Sequence, residues 1–365
     1  MKTILIAHNY SEVSFSAMSY NLAHHLATLG HQVIFVSHQP YFFEDRVVKK
    51  ENGEISICSW PTTERPTLIR DFIWYVSIYF KYKPDVIIGH FVGSNISVSV
   101  SKLLSFGKVK TFEYYHTLTD QLLTDIKKTS IQQKLLFFRK KIFYNLFCDV
   151  IVCPSALAKK DLQDFYLIDK GLVMLNPIKD RFESKIAIDE AKITISYLGR
   201  LDPSKGVIDL ITAFTAYKNK VPSSKIILNI AGTGSQELEV KEIIKDNLAI
   251  CYLGGLPYQA IDDYLNKSHF VIIPSKYDNL PTVGLESMMN QTPLLISNTI
   301  GLASYLIEGK ECFKFEPNVD SMISLFDKIE NSFNLCEQMS FDARATFLEK
   351  FGMDTYCNSI SNMIL

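Results

Sequence analysis

The sequence predicts an α/β protein made of two doubly wound domains. Three observations carry this. Short β-branched runs alternate with amphipathic helical stretches from end to end. The alternation pauses in a polar segment at 179–192 and then restarts. The length of 365 residues is too great for one ordinary core and suits two. Continuous apolar strands alternating with helices imply parallel sheets covered on both faces. The expected division is 1–180, closed by a C-terminal helix at about 352–365, and 181–351.

The first expected strand is "TILIAH". Met18, Leu22, Ala23, Leu26 and Leu29 then recur at helical spacing, and Gly30 supplies a stop. "QVIFVS", "DVIIGH", "KTFEYYH", "DVIVCPS" and "LVMLNP" continue the first half. In the second half, "ITISYLG" is followed by a helix marked by Val207, Leu210, Ile211 and Phe214. "KIILNIAG", "AICYLGG", "FVIIPS" and "PLLISN" are the remaining strands. In open α/β sheets ligands bind beyond the carboxyl ends of the strands. The residues to weigh therefore follow strands: His8, His90, His116, Arg200, Gly232, Gly254 and the segment after Pro274.

Composition narrows the function. Thirty-eight basic and 39 acidic residues leave a net charge of −1, which argues against a nucleic-acid partner. The seven cysteines are scattered without a C-x-x-C pair, so neither a disulfide framework nor a structural zinc is expected. Those in apolar runs, Cys153 and Cys251 among them, read as buried thiols. "MKTILIAHNY" reads as a strand and not a signal peptide. The longest apolar stretch, 72–80, is far short of a spanning helix, so a cytoplasmic protein is expected.

Two segments carry the chemistry. In "YLGRLDPSKG", Arg200 follows a strand and Lys205 stands where a helix begins, which makes an anion site. Arg can grip a phosphate with two bonds, and Lys acts as a point charge. A surface loop with ordinary charges is the bland reading. "AGTGSQ" is as readily simple turn chemistry as a ligand loop. In "KYDNLPTVGLESMMNQTP", Asp278 lies at a strand's carboxyl end and Pro281 suits a first helical turn. The amides of Thr282 and Val283 would then face an anion, with Glu286 about one turn further along. A capped surface helix is the alternative.

Together "GRLDPSKG", "AGTG", "CYLGGL" and "PSKYDNLPTVGLESMMNQTPLLIS" resemble the glycosyl transferases group 1 family, retaining glycosyltransferases of the GT-B fold. The first half fits more loosely, through "LAHHLATLGHQVIFVS", "PDVIIGH", "YYHT" and "DVIVCPSALAKKDL". The resemblance implies two Rossmann-like domains facing across a cleft, with the acceptor side in the first and the nucleotide-sugar donor in the second. It implies sugar transfer from a nucleotide-diphosphate sugar to a hydroxyl acceptor, without metal or other cofactor. It places Arg200 and Lys205 on the donor diphosphate, Glu286 on the ribose and Asp278 on sugar hydroxyls. It places Asn279, Leu280, Pro281, Thr282 and Val283 on sugar and phosphate, Leu256 beside the base and His116 at the reacting centre. Retention is pictured as front-side attack, with the donor phosphate taking the acceptor proton.

Three departures stand out. "NYSEVSFSAMS" lacks the family's Gly-Gly pair, leaving Ser14 to Ser16, Ser16 in particular, to approach the phosphate. Asp278 replaces the commoner Glu, a variant associated with bacterial surface-polysaccharide transferases. Gln291 stands where Gly is usual, with Asn290 expected to take the left-handed turn. A glycan or lipid-linked acceptor is expected. An epimerase of the same fold, or a silent nucleotide-sugar-binding subunit, is the alternative function. The segment 127–147 combines six basic residues with an apolar stripe of Leu135, Phe138, Ile142 and Leu146. It is read as a packed core helix in preference to one lying on the inner membrane surface.

Overall fold

The structure is a computed structural model. It describes the chain except residues 9–13, 38–45, 64–65, 92–93, 126–129, 187, 189–190, 246 and 365, and the side chains of 14–16, 125 and 130. The chain divides into two compact units, Met1–His116 with Lys128–Lys179 and Met353–Leu365, and Asp180–Gly352 with Thr117–Lys127.

The first unit holds an eight-stranded sheet. Its strands are β1 (Thr3–Ala7), β2 (Gln32–Ser37), β3 (Arg46–Lys49), β4 (Glu54–Ser59), β5 (Val86–Gly89), β6 (Lys110–Tyr114), β7 (Val150–Cys153) and β8 (Gly171–Val173). The order is β3-β4-β2-β1-β5-β6-β7-β8, parallel except for the antiparallel β3/β4 edge. Ile4 and Ile6 of β1 share a core with Met18, Leu22, Ala23 and Leu26 of helix Ser14–Thr28. Helix Met353–Ile364 joins that core through Tyr356, Cys357, Ile360 and Ile364. Leu29, beyond the helix end, is half exposed.

The second unit holds β9 (Ile193–Leu198), β10 (Ile226–Ala231), β11 (Ile250–Tyr252), β12 (Phe270–Ile273), β13 (Leu294–Ser297) and β14 (Cys312–Phe315). They form one parallel sheet in the order β11-β10-β9-β12-β13-β14. Val207, Leu210, Ile211 and Phe214 bury one face of helix Val207–Lys220 against this sheet and against Phe326 of helix Val319–Asn331. Both units reverse strand order beside their first strand, at β1/β5 and at β9/β12. Such a reversal opens a crevice at the strand carboxyl ends, where neighbouring connections leave in opposite directions.

Several sequence expectations need correction. The helix Ser130–Phe147 forms, yet Leu135, Phe138, Ile142 and Leu146 face solvent. Phe143 and Tyr144, turned away from this stripe, are buried. Cys251 is exposed, because β11 is an edge strand and its alternate residues face outward. Gln291 itself adopts the left-handed turn at φ 54°, while Asn290 stays at φ −84°. The amide of Asn290 is engaged with the carbonyl of Glu286 and with Asp262, which holds it in its place at the helix end.

Candidate active site

In the second unit the residues singled out from sequence converge on the β9/β12 reversal. Arg200 follows β9 within two residues, and Lys205 ends a 3-10 turn at Pro203–Lys205. Asp278 lies in the loop after β12, and Thr282–Met289 is the helix that follows. The two loops are stitched together by backbone. The amide of Lys276 donates to the Ser204 carbonyl at 2.8 Å. Gly206, at φ 70°, sits so close that a Cβ would lie 2.2 Å from the Pro274 carbonyl oxygen. Only glycine permits both the dihedral and the approach.

The approach places Lys205 Nζ 2.5 Å from Asp278 Oδ2, with both side chains mostly buried. Asp278 Oδ1 accepts from the Asn279 amide at 2.9 Å. Leu280 and Pro281 are buried behind it. Pro281 stands one residue ahead of the helix, as its cap, not in the first turn. The amides of Thr282 and Val283 make no hydrogen bond among the described residues, as the first turn of a helix requires. The arrangement therefore sets an ammonium group and a helix N-terminus beside one crevice.

Arg200 is more than half exposed and pairs with Asp202 of its own loop. The Tyr197 hydroxyl donates to the Arg200 carbonyl at 2.7 Å and fixes the backbone there. Burial, with Asp278 and Asp202 nearby, pushes the Tyr197 phenol well above its ordinary range, so it remains a donor. Asp202 also accepts from the Ser235 amide and hydroxyl at 3.0 and 2.9 Å. The "AGTG" glycines are packing devices. Gly232, at φ 142°, lies where a Cβ would come 1.8 Å from the Gly199 carbonyl oxygen. Leu256 sits in the next loop, which the Gly232 amide ties in through the Gly254 carbonyl at 2.7 Å.

Glu286 is buried, and a partner that the sequence reading missed lies beside it. Arg181 Nη2 is 3.7 Å from Glu286 Oε1. The same guanidinium grips Asp262 with two bonds, at 2.8 and 2.9 Å. Burial opposes the charge on Arg181, but the hydrogen bonds and charge of Asp262, together with Tyr258 and Glu286, hold its pKa above the ordinary value. Arg181 lies in the polar linker with no motif around it, so sequence offered no signal.

His116 belongs to the first unit and follows β6. Its Nε2 lies 3.3 Å from His90 Nδ1, and His90 stacks on His8 at 4.5 Å. Burial lowers the pKa of all three imidazoles, His8 to about 3, so the cluster is neutral at pH 7. His90, which reads as a plain strand-end histidine in sequence, is thus the direct neighbour of His116. Ser16 lies outside the residues whose side chains are described.

Glu113 of β6 is a further residue that sequence reading passed over. Its carboxylate is buried, accepts from Ser94 Oγ at 3.0 Å and fills the space a side chain at Gly89 would need. Burial raises its pKa from 4.5 to about 8, against the opposing pull of Ser94 and Lys140. The folded state thus keeps a proton that the unfolded state releases, so stability falls as pH rises from 4.5 toward 8. The buried imidazoles add an opposite slope until the unfolded ones are neutral, about a unit above 6.5, but the parent and Glu113→Gln share it, so the difference between the two isolates the carboxyl. Denaturation between pH 6.5 and 8 should show the stability of the parent falling relative to that of Glu113→Gln as pH rises. Parallel profiles, or a parent that gains on the variant as pH rises, would contradict this.

Comparison with known proteins bears on the family and the fold. Residues 178–346 match the family described as glycosyl transferases group 1, and residues 16–179 match Glycosyltransferase Family 4. A glycogen synthase of Mycobacterium tuberculosis is 32% identical over 117 residues, 31% of this chain and 28% of its own. An uncharacterized glycosyltransferase of Haemophilus influenzae is 27% identical over 210 residues, covering 57% of this chain and 58% of its own. The chain thus spans about half or less of the lengths of most curated relatives it matches. Sucrose-phosphate synthase from Thermosynechococcus elongatus superposes with a TM-score of 0.80 at 14% identity, over 100% of this chain and 98% of its own. An Anabaena structure in complex with UDP gives 0.71 at 11% identity, over 100% and 99%. These structural likenesses establish the GT-B fold. With its two halves matched in turn by the two family descriptions, the chain belongs to the glycosyl transferases group 1 family.

Proposed function

We propose that the protein is a metal-independent, retaining glycosyltransferase that moves a sugar, of hexose type, from a nucleotide-diphosphate sugar to a hydroxyl of a glycan or lipid-linked acceptor. Its place is bacterial surface polysaccharide or glycolipid assembly on the cytoplasmic side. The observation that carries the reading is the Lys205–Asp278 pair at the β9/β12 reversal, beside the open amides of Thr282 and Val283. A diphosphate needs fixed positive potential, and a helix N-terminus with an ammonium supplies it. Similar structures hold UDP-glucose and UDP-2-fluoro glucose, which supports a donor of this class.

On this reading Lys205 and Arg200 stabilise charge gathering on the leaving diphosphate as the anomeric C–O bond breaks. The acceptor oxygen forms the new C–O bond on the same face, and its proton passes to the departing phosphate. Asp278 holds sugar hydroxyls, Glu286 holds the ribose, and the loop from Asn279 to Val283 presents amides. Leu256 borders the base.

The test is a panel of nucleotide sugars, read by thermal stabilisation and by release of free nucleoside diphosphate with and without added glycan acceptors. One donor should stabilise the chain and release its diphosphate slowly. Stabilisation without release under every acceptor would leave a silent binding subunit, and product that retains its nucleotide would mark an epimerase.

A further inference from the structure

Three helices of the first unit, Ile69–Tyr82, Asn95–Leu104 and Ser130–Phe147, pack side by side on one face of the sheet. The Tyr75 hydroxyl and Ser101 Oγ, 2.8 Å apart, join the first two. Their inner sides are ordinary core: Tyr75, Ile78, Val98, Val100, Phe143 and Tyr144 are buried. Their outer sides are apolar as well, which a protein surface facing only water does not require.

On Ser130–Phe147, the residues Ile131, Leu135, Phe138, Ile142 and Leu146 form one stripe and are 39–77% exposed. At 3.6 residues per turn they share one side of the helix, with Tyr144 opposite and Phe143 about a quarter turn away. Lys134 and Lys141 flank the stripe on one edge, and Arg139 flanks it on the other. Helix Ile69–Tyr82 repeats the design. Ile69, Phe72, Ile73 and Phe80 are 48–79% exposed, with Arg70 and Lys81 along the edge. Leu103, in the helix between them, and Phe106, just past its end, are exposed as well.

Charge names the occupant. The described parts of the three helices carry one acid, Asp71, and it is buried, accepting the amides of Thr67 and Leu68 at 2.9 and 2.8 Å. The exposed cations therefore face outward with no exposed acid on these helices among the described residues. A second copy of the chain would bring the same cations against themselves. A surface of anionic headgroups above acyl chains accepts both the apolar stripes and the flanking cations. No described helix is long and apolar enough to cross a membrane, so the helices would lie along it.

We infer that this three-helix face docks on an anionic lipid surface. The inference stands apart from the transferase reading, since it uses none of the residues assigned to the donor. The full chain is sedimented with vesicles of phosphatidylcholine alone, and with vesicles containing about a third phosphatidylglycerol. Binding to the anionic vesicles should exceed neutral binding at least about tenfold and weaken as salt is raised. Leu135→Ser with Phe138→Ser should abolish most binding, as should Lys134→Glu with Lys141→Glu. Both pairs lie on the surface, so melting and nucleotide-sugar stabilisation should match the parent. Failure of the parent to bind, or equal binding to both vesicles, overturns the inference. So does a dimer in free solution that either double variant dissolves, since the face would then belong to a second copy.

Discussion

Lys205→Ala is expected to lower turnover by about 10²–10³-fold, the loss that follows removal of one preorganised group stabilising transition-state charge. The same change should destabilise the second unit by about 2–3 kcal/mol. The two losses have different origins. Turnover falls because the leaving diphosphate, on the proposed reading, loses its nearest fixed cation. Stability falls because Asp278, largely buried 2.5 Å from Nζ, keeps only the Asn279 amide as side-chain partner among the described residues. A second substitution separates them. Asp278→Asn, added to Lys205→Ala, removes the stranded charge and should restore most of the stability, while turnover stays low. Arg200→Ala should show the converse balance. Its guanidinium is more than half exposed and its pair with Asp202 lies at the surface, so turnover should fall with little change in stability. Steady-state kinetics and denaturant unfolding on the four proteins decide the matter. Wild-type turnover in Lys205→Ala would remove that residue from the reaction.

Much of this arrangement was legible in the sequence because it rests on local rules. Strands buried on both faces read as apolar runs, and the positions after them are fixed by the chain. Arg200, Lys205, Asp278 and Pro281 could be placed in this way. Three strands were not read. β3 is a four-residue exposed edge, and β4 and β14 alternate apolar with polar residues instead of forming continuous runs. What sequence could not give is pairing across long separations. The Lys205–Asp278 contact depends on Gly206 meeting Pro274, and the Arg181–Asp262–Glu286 group joins a linker to two helices. The helix Ser130–Phe147 shows a further limit. Periodicity locates an apolar stripe but does not say whether protein covers it, and here two opposite sides of one helix are apolar.

Glu286→Gln is expected to raise the donor KM by about ten- to a hundredfold with kcat nearly unchanged. A carboxylate that accepts from ribose hydroxyls contributes a charge-assisted hydrogen bond, worth about 1.5–3 kcal/mol. The ribose is remote from the breaking bond, so that bond is equally strong before and during reaction, and its loss appears in KM. Stability should change little, because Arg181 keeps its two bonds to Asp262. Arg181→Ala is the complementary case. It leaves buried Glu286 and half-buried Asp262 without their shared cation, and should cost about 2–3 kcal/mol of stability. It should raise the donor KM as well, because Glu286 loses the guanidinium beside its carboxylate. A purely structural network predicts otherwise: Arg181→Ala would destabilise, and Glu286→Gln would leave the donor KM where it was. A fall in kcat at constant KM in Glu286→Gln would place the carboxylate at the reacting centre and overturn its assignment to the ribose.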